Sequence, residues 1–289
     1  MNIIRLATRR SRLALWQANW VAARLRRAHP GLIVRLVPVD TGGDVDLKTP
    51  LYALGTIGVF AKEVHAAILS GRADAGVHSC KDLPTTWPVG LELAATPVRA
   101  DPRDVLVGAE SLAALAPGAV LGTSSLRRQV QANAIRPDLR FVALRGNVQT
   151  RLAKIAGGDA AATIMAMAGL HRLGLLRSAR ATPLCPWTVC TPAPAQGAVA
   201  IDCRSDDRRT RRLLTALDHQ PTRTAITIER EVLASLAGGC SLPLGCFVAR
   251  DGARWRGIAR LGRDGRLVTS TAAGPAAGMA VRLLAGLNI

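Results

Sequence analysis

The chain has 289 residues, of which 49% are hydrophobic, and this is enough for two or three domains with substantial cores. No apolar run approaches the roughly 18 residues of a membrane span, so we expect no membrane partner. The formal net charge is +18, carried mostly by arginine. Aromatic residues are only 3% of the chain, which leaves few platforms for stacking on single-stranded nucleic acid, and we expect no nucleic-acid partner.

The first residues of the chain predict an intracellular protein, and the positions of its cysteines and histidines predict no metal site. The segment 1–7 is typical of a first strand and not of a signal peptide, so a cytoplasmic location is expected. Six cysteines include no C-x-x-C pair, which argues against a zinc site or a disulfide framework. His65 is interpreted as a surface or core residue of a helix, and His171 has no suitably spaced ligand partner.

Short apolar runs alternate with amphipathic stretches along most of the chain, which predicts α/β domains with mainly parallel sheets and ligands at the carboxyl ends of the strands. The predicted strands are residues 3–7, 33–39, 75–78, 91–95, 105–107, 120–122, 140–144 and 161–164. The predicted helices are residues 13–29, 60–70, 125–135, 148–156 and 167–173. Proline-rich linkers are expected at 97–102 and 183–194, and a boundary near 218–222 precedes a helix at 225–236, strands at 247–250, 255–261 and 267–271, and a last helix.

Two segments, 119–128 and 141–151, share a design in which a short strand, a turn of small residues and an arginine-bearing helix follow one another. A helix start offers unpaired N–H groups and partial positive charge, and arginine adds a planar fork that fits a carboxylate or phosphate. Two such sites predict a ligand with several negative groups. The alternative is that Ser124 or Ser125 only caps a helix and the arginines lie on a solvated face.

A series of motifs extends over nearly the whole chain, in the order ATRRSRLALWQ (7–17), VHSCKDLP (77–84), DPRD (101–104), GTSSLRR (122–128), LRGNVQTR (144–151), AGLHRLG (168–174), QGA (196–198) and GGCSLP (238–243). Each motif alone has little specificity, but their order and spacing together are highly specific. In these motifs the chain resembles the porphobilinogen deaminase family, also called hydroxymethylbilane synthase.

The resemblance implies a fold of three α/β domains. Two lobes similar to those of periplasmic binding proteins would face each other across a cleft, the first formed by residues 1–97 and 198–215 and the second by residues 101–190. A small α/β domain of residues 220–289 would carry the loop cysteine.

The resemblance also implies a reaction and a cofactor. The family joins four porphobilinogen molecules head to tail into hydroxymethylbilane, releasing ammonia at each step, as part of tetrapyrrole biosynthesis. The growing chain is built on a dipyrromethane primer, which a thioether would attach to Cys240 here. A monomer is expected.

Site residues are carried over from the family motifs. Asp82 is the expected catalytic residue, since a carboxylate near the pyrrole N–H groups would stabilise positive charge there. The alternative for Asp82 is a helix or turn cap beside Pro84. The residues expected to bind the cofactor are Cys240, Lys81, Ser125, Arg127, Arg128, Arg145 and Arg151, and those expected to bind substrate are Arg9, Ser11 and Arg172.

The chain departs from the family pattern at several positions. Ala53 and Ile57 stand where relatives often have lysines, Ala195 replaces a usual glycine, and Ala237 replaces a usual glutamate. Two other classes of function remain open at this stage. One is a non-catalytic anion-binding module, which would lack a covalent primer, and the other is a nucleic-acid binder, whose binding would fall steeply with salt.

Overall fold

The computed structural model of the protein describes residues 2–40, 61–236 and 242–288. These residues form two compact units. The first unit comprises the described residues of Met1–Ala100 and Ala198–Thr224, and the second comprises those of Asp101–Gly197 and Ala225–Ile289.

Helices and strands alternate along the described chain. In order they are β1 (Ile3–Arg9), α1 (Arg12–Ala28), β2 (Ile33–Val39), α2 (Lys62–Leu69), β3 (Ala75–Ser79), a 3-10 turn (Cys80–Asp82), β4 (Leu91–Ala95), β5 (Asp104–Val107), β6 (Val120–Gly122), α3 (Leu126–Ile135), β7 (Arg140–Val142), α4 (Val148–Ala156), β8 (Ala162–Ala166), α5 (Met167–Arg172), β9 (Thr182–Pro183), β10 (Val199–Arg204), α6 (Arg208–Thr215), α7 (Gln220–Ser235), β11 (Leu244–Asp251), β12 (Arg254–Arg263), β13 (Arg266–Gly274) and α8 (Met279–Ala285).

The first unit is built on a five-stranded sheet in the order β2-β1-β3-β10-β4. β1 pairs in parallel with β2 and β3, whereas β10 is antiparallel to both β3 and β4, so four strands run in one direction. α1 buries Ala18, Val21 and Leu25, whose spacing of three and four residues puts them on one helix face. This face packs with Ile4 and Leu6 of β1 in one apolar core, which fixes the start of α1 next to the end of β1.

The second unit contains a five-stranded sheet in the order β7-β6-β8-β5-β9 and a separate antiparallel sheet, β11-β12-β13. β6 is parallel to β7 and β8, and β5 is antiparallel to β8 and β9, so this five-stranded sheet again has one reversed strand. The small sheet shares an apolar core with α8, in which Val248, Ala259 and Leu283 are buried.

The predicted fold class is confirmed, because the chain forms mixed α/β units with mainly parallel sheets and, within the second unit, a small three-stranded C-terminal sheet. β10 is absent from the predicted strands, and the helix predicted at 225–236 begins earlier, at Gln220. The division into three domains stays a prediction. None of the helices in the described ranges combines the length and apolar character needed to cross a bilayer.

Candidate active site

Two strand ends bring site residues together in the first unit. β1 ends at Arg9, β3 ends at Ser79, and the two strands are parallel neighbours, so both ends lie at one edge of the sheet. Carboxyl edges of this kind are where ligands bind in α/β sheets. α1 starts at this edge with Ser11 as its N-cap, and the Ser11 hydroxyl accepts a hydrogen bond from the backbone N–H of Ala14 at 3.3 Å.

The 3-10 turn that follows β3 positions Asp82. The backbone N–H of Cys80 donates to the carbonyl of Ala198 at 3.1 Å, and that of Leu83 donates to the carbonyl of Cys80 at 3.2 Å. Cys80 is fully buried, whereas Lys81 and Asp82 are half-buried. The turn is therefore anchored by its buried cysteine and keeps the two charged residues near the surface.

A pocket of about 60 Å³ opens at this edge, and Asp82 contributes to its wall. Its other polar lining residues include Arg9 and Ser11, which the sequence predicted as substrate-binding, together with Gln17, His78 and Ser79. The structure thus brings Asp82, Arg9 and Ser11 to one pocket. Among the described residues, none forms an ion pair with the Asp82 carboxylate, so that charge faces the pocket.

Gln17 and Ser79 belong to the pocket but were not among the predicted site residues. The side-chain amide of Gln17 donates to the Ser79 hydroxyl at 3.0 Å, and Gln17 is buried. Both residues lie inside the motifs that carry the family resemblance. Their chain positions show no special spacing to Asp82, so only the strand pairing reveals that they are neighbours.

In the second unit, the turns that follow β6 and β7 lie side by side because the two strands are parallel neighbours. The Thr123 N–H donates to the Val142 carbonyl at 2.8 Å, and the Ser124 hydroxyl donates to the Leu144 carbonyl at 3.2 Å. Ser125 stands at the N-cap of α3, where its side chain makes no capping hydrogen bond. Capping by the Ser124 or Ser125 hydroxyl is therefore not what holds this helix start.

Arg127 and Arg128 point inward, against the alternative of a solvated face. Both are buried and share one carboxylate, that of Asp104, which is fully buried at the first residue of β5. Arg127 Nη1 donates to Asp104 Oδ2 at 2.7 Å, and Arg128 Nη2 donates to Asp104 Oδ1 at 2.7 Å. Burial alone would raise the pKa of Asp104, but the charges of Arg127 and Arg128 hold it well below its usual range.

A wider buried network surrounds Asp104. The Gln196 side-chain amide donates to Asp104 Oδ1 at 3.0 Å, and Arg127 Nη1 also donates to the Thr191 carbonyl at 2.7 Å. The Cys190 thiol donates to Asp104 Oδ2 at 3.3 Å, and burial raises its pKa to about 12, so Cys190 stays protonated. The sequence does not predict this network, because its members come from segments far apart in the chain.

The other predicted arginines of the second unit occupy different settings. Arg145 and Arg151 are half-buried beside the turn into α4, where Arg151 Nε donates to the Gly146 carbonyl at 2.8 Å. Arg172 ends α5 and is buried, with Nη2 donating to the Gly197 carbonyl at 2.7 Å. Burial lowers the pKa of Arg172 to about 10, so it remains a cation at neutral pH. Cys240, Ala53 and Ile57 lie outside the described residues.

The chain is similar to several solved structures, among them proteins that bind small molecules. A periplasmic binding protein of an ABC transporter from Brucella ovis, with glutathione bound, is 15% identical, with 82% of this chain and 69% of that chain covered and a TM-score of 0.43. The methionine-binding protein MetQ is 12% identical, with 79% and 93% covered and a TM-score of 0.43. The VFT2 domain of BvgS from Bordetella pertussis, a double mutant, is 14% identical, with 81% and 93% covered and a TM-score of 0.44.

A family model gives the more specific comparison. The model described as "Porphobilinogen deaminase, dipyromethane cofactor binding domain" matches residues 4–212. This range includes the Asp82 pocket of the first unit and the Asp104 network of the second. It covers well over half of the 289 residues, and the chain belongs to the porphobilinogen deaminase family.

Proposed function

We propose that this protein joins four porphobilinogen molecules head to tail into hydroxymethylbilane, with release of ammonia, on a covalent dipyrromethane primer. It would thereby serve tetrapyrrole biosynthesis as a monomeric cytoplasmic enzyme. The observation that carries the proposal is the pocket of the first unit, where Asp82, Arg9 and Ser11 meet in a member of this family.

The charge of the ligand suits the residues that are available. Each pyrrole of porphobilinogen carries an acetate and a propionate, so a growing chain is a polyanion that needs several cationic partners. Arginine binds a carboxylate through two parallel hydrogen bonds, which fixes its orientation as well as neutralising it. We assign substrate carboxylates to Arg9, Ser11 and Arg172, and primer carboxylates to Lys81, Ser125, Arg127, Arg128, Arg145 and Arg151.

Arg127 and Arg128 each bind Asp104 with part of the guanidinium and keep other donors for a ligand. A guanidinium has five N–H donors, and the hydrogen bond to Asp104 uses only one of those five in each arginine. Arg128 Nε is buried and has no hydrogen-bond partner within the described chain. A buried donor without a partner is costly, and a primer carboxylate would satisfy it. The donor set therefore fits the dipyrromethane group that the family model names.

Asp82 has the chemistry that the reaction needs. The amine of porphobilinogen leaves from its protonated form as ammonia, the electron pair of the breaking C–N bond goes with nitrogen, and the positive charge passes to the pyrrole ring. A carboxylate facing the pyrrole N–H stabilises that charge and can relay a proton, and we assign both roles to Asp82. Asp82 is half-buried in the pocket wall, where the solvent screens it less than a fully exposed charge. When bound, the primer supplies the ring whose free α-carbon is joined to the next unit.

Cys240 is assigned the attachment of the primer. It lies in a Gly-Gly-Cys sequence, and a glycine-rich segment gives a carbon electrophile access to the sulfur. A thiolate is the nucleophilic form, and neighbouring positive charge favours it. The Cys240 thioether would hold the primer through all rounds of chain growth.

Intact-mass spectrometry of the purified full-length protein tests the proposal directly. The wild type should carry an adduct of two pyrrole units, and Cys240→Ala should show the bare polypeptide mass and no turnover. Cys185→Ala is the matched control, since Cys185 is exposed and should leave the adduct in place. A bare mass in wild-type protein that still consumes porphobilinogen would refute the primer assignment, and a bare mass without turnover would favour an anion-binding module.

A further inference from the structure

A cluster of three buried side chains lies in the first unit, and the proposed reaction does not use it. His65 lies on α2, His78 on β3 and Asp202 on β10, so the fold brings together three residues from elements that are far apart in sequence. Their exposures are 5%, 7% and 0%, respectively. Two imidazoles and a carboxylate are donor types that hold zinc and related divalent ions in proteins.

Both histidines present the same ring nitrogen to the carboxylate. His65 Nε2 lies 2.9 Å from Asp202 Oδ2, and His78 Nε2 lies 3.0 Å from Asp202 Oδ1. The ring centres of the two histidines are 5.3 Å apart. Two imidazoles bound through Nε2 to one tetrahedral zinc, at about 2.1 Å each, place their ring centres roughly 5 Å apart. The spacing of the two rings therefore suits a shared ion.

Hydrogen bonding does not account for the whole cluster. His78 and Asp202 form a hydrogen bond, but His65 Nε2 and Asp202 Oδ2 are both buried without a hydrogen-bond partner among the described residues, despite their short separation. Buried polar atoms without partners are rare and call for an explanation such as an ion. Ligands of one ion direct their lone pairs at a common point and not at each other, which produces short contacts with poor hydrogen-bond angles.

A glycine makes room for the cluster. A Cβ atom at Gly76 would collide with Asp202 Oδ1 and His78 Nε2, so a glycine at this position is what lets these two atoms lie against the backbone.

We propose that His65, His78 and Asp202 bind one divalent transition-metal ion, with Zn²⁺ as the best match to two imidazoles and a carboxylate. His78 also lines the Asp82 pocket, so the cluster adjoins the wall of that pocket. The sequence predicted no metal because its three ligands show none of the close spacings by which metal sites are recognised. The site goes beyond the proposed transferase function and does not depend on it.

Metal binding to untagged full-length protein tests the site. Protein treated with a chelator is dialysed against Zn²⁺ or Co²⁺ and then freed of excess metal. The bound metal is measured by inductively coupled plasma mass spectrometry. The wild type should bind about one ion per chain, and Co²⁺ should give the intense visible bands of tetrahedral coordination. His65→Ala should lose both signals, whereas His171→Ala, which alters an exposed histidine outside the cluster, should keep them.

Asp202→Asn, which nearly preserves side-chain volume, is the second variant if His65→Ala fails to fold, and it should also lose the bound ion. Wild-type protein without bound metal, or a Co²⁺ spectrum without tetrahedral bands, would overturn the proposal and leave a hydrogen-bonded cluster. Equal binding by His65→Ala and His171→Ala would overturn it too. Metal content is measured independently of turnover, so this outcome is distinct from failure of the transferase assignment.

Discussion

Asp82 and Asp104 are both aspartates at the edge of a five-stranded sheet where its parallel strands end, yet their surroundings are opposite. Asp82 lines a pocket, is half-buried and has no ion pair within the described residues. Asp104 is fully buried between Arg127 and Arg128. In the sequence a basic residue directly precedes each aspartate, Lys81 before Asp82 and Arg103 before Asp104, so the local sequence does not distinguish their surroundings. The difference shows that an arginine in a binding motif can be engaged by the protein itself before any ligand arrives.

The buried network around Asp104 is stable only as a complete set. Taking charges out of water is costly, and only close contacts with further hydrogen bonds offset that cost. Asp104 receives hydrogen bonds from Arg127, Arg128, Gln196 and Cys190, so both of its oxygens are occupied. In contrast, the Asp82 carboxylate remains available for a cationic ligand. We therefore expect changes at Asp104 to alter stability and changes at Asp82 to alter turnover.

The largest expected effect is that of Asp104→Asn. The change removes the negative charge between two buried arginines, and an uncompensated buried charge costs about 3–5 kcal/mol of unfolding free energy. Urea unfolding followed by circular dichroism measures the loss. Asp101→Asn is the matched control, because Asp101 pairs with Arg103 in a partly exposed position, and such pairs contribute only about 0.2–1 kcal/mol. Equal losses in the two variants would show that Asp104 is not held as the structure indicates.

Asp82→Asn should act on turnover and leave stability nearly unchanged. It keeps the size of the side chain but removes the charge that is proposed to stabilise the pyrrole cation, and losing one such stabiliser reduces turnover by about 10²-fold or more. Steady-state consumption of porphobilinogen measures this. Asp159→Asn, at an exposed position, should keep normal turnover. Near-normal turnover in Asp82→Asn would move the catalytic role to another residue.

The lowered pKa of Asp104 predicts that its contribution to stability decreases in acid. A carboxyl whose folded pKa lies below its unfolded value of about 3.9 contributes its full stability above that pH and loses it as pH falls toward the folded pKa. The stability difference between wild type and Asp104→Asn should therefore be constant from about pH 7 to 5 and shrink below about pH 4. Urea midpoints across this range measure the difference. A difference that stays constant down to pH 3 would contradict the assignment.

The sequence predicted best those helices and strands whose pattern lies within one short segment. β2, β4 and α4 have the predicted bounds, since their apolar patterns lie within short segments. β10 was missed because Asp202 interrupts its apolar run, although that aspartate is buried in the middle of the sheet. The order of family motifs predicted Asp82 and Arg9, and the structure brings both to one pocket.

Contacts between distant segments were beyond the sequence. Arg127 and Asp104 are 23 positions apart, and no periodicity links them. Their contact follows from β5 running antiparallel to β8, which puts its first residue at the same sheet edge as the start of α3. The same limit applied to His65, whose partner Asp202 lies on the unpredicted strand. Sheet order, which the sequence did not predict in detail, decides these neighbours.

The smallest expected effect concerns the backbone beside the Asp104 network. Ala195 has a φ of 60°, in the left-handed region that favours glycine, and its N–H donates to Glu229 Oε2 at 2.6 Å. Ala195→Gly relieves about 1–2 kcal/mol of backbone strain. It loses roughly 0.8 kcal/mol from one buried methyl group and about 0.4–1 kcal/mol through the entropy of the unfolded chain.

These opposing terms nearly cancel, so the urea midpoint of Ala195→Gly should stay close to that of the wild type. Ala195→Val is the informative counterpart. A β-branched residue is strongly disfavoured at positive φ, and overpacking a fully buried site costs a further 1–3 kcal/mol or so. The valine variant should therefore unfold at a clearly lower urea concentration than the glycine variant. Equal midpoints for the two variants would mean that residue 195 adopts an ordinary backbone conformation, and that the network tolerates more freedom here than its burial suggests.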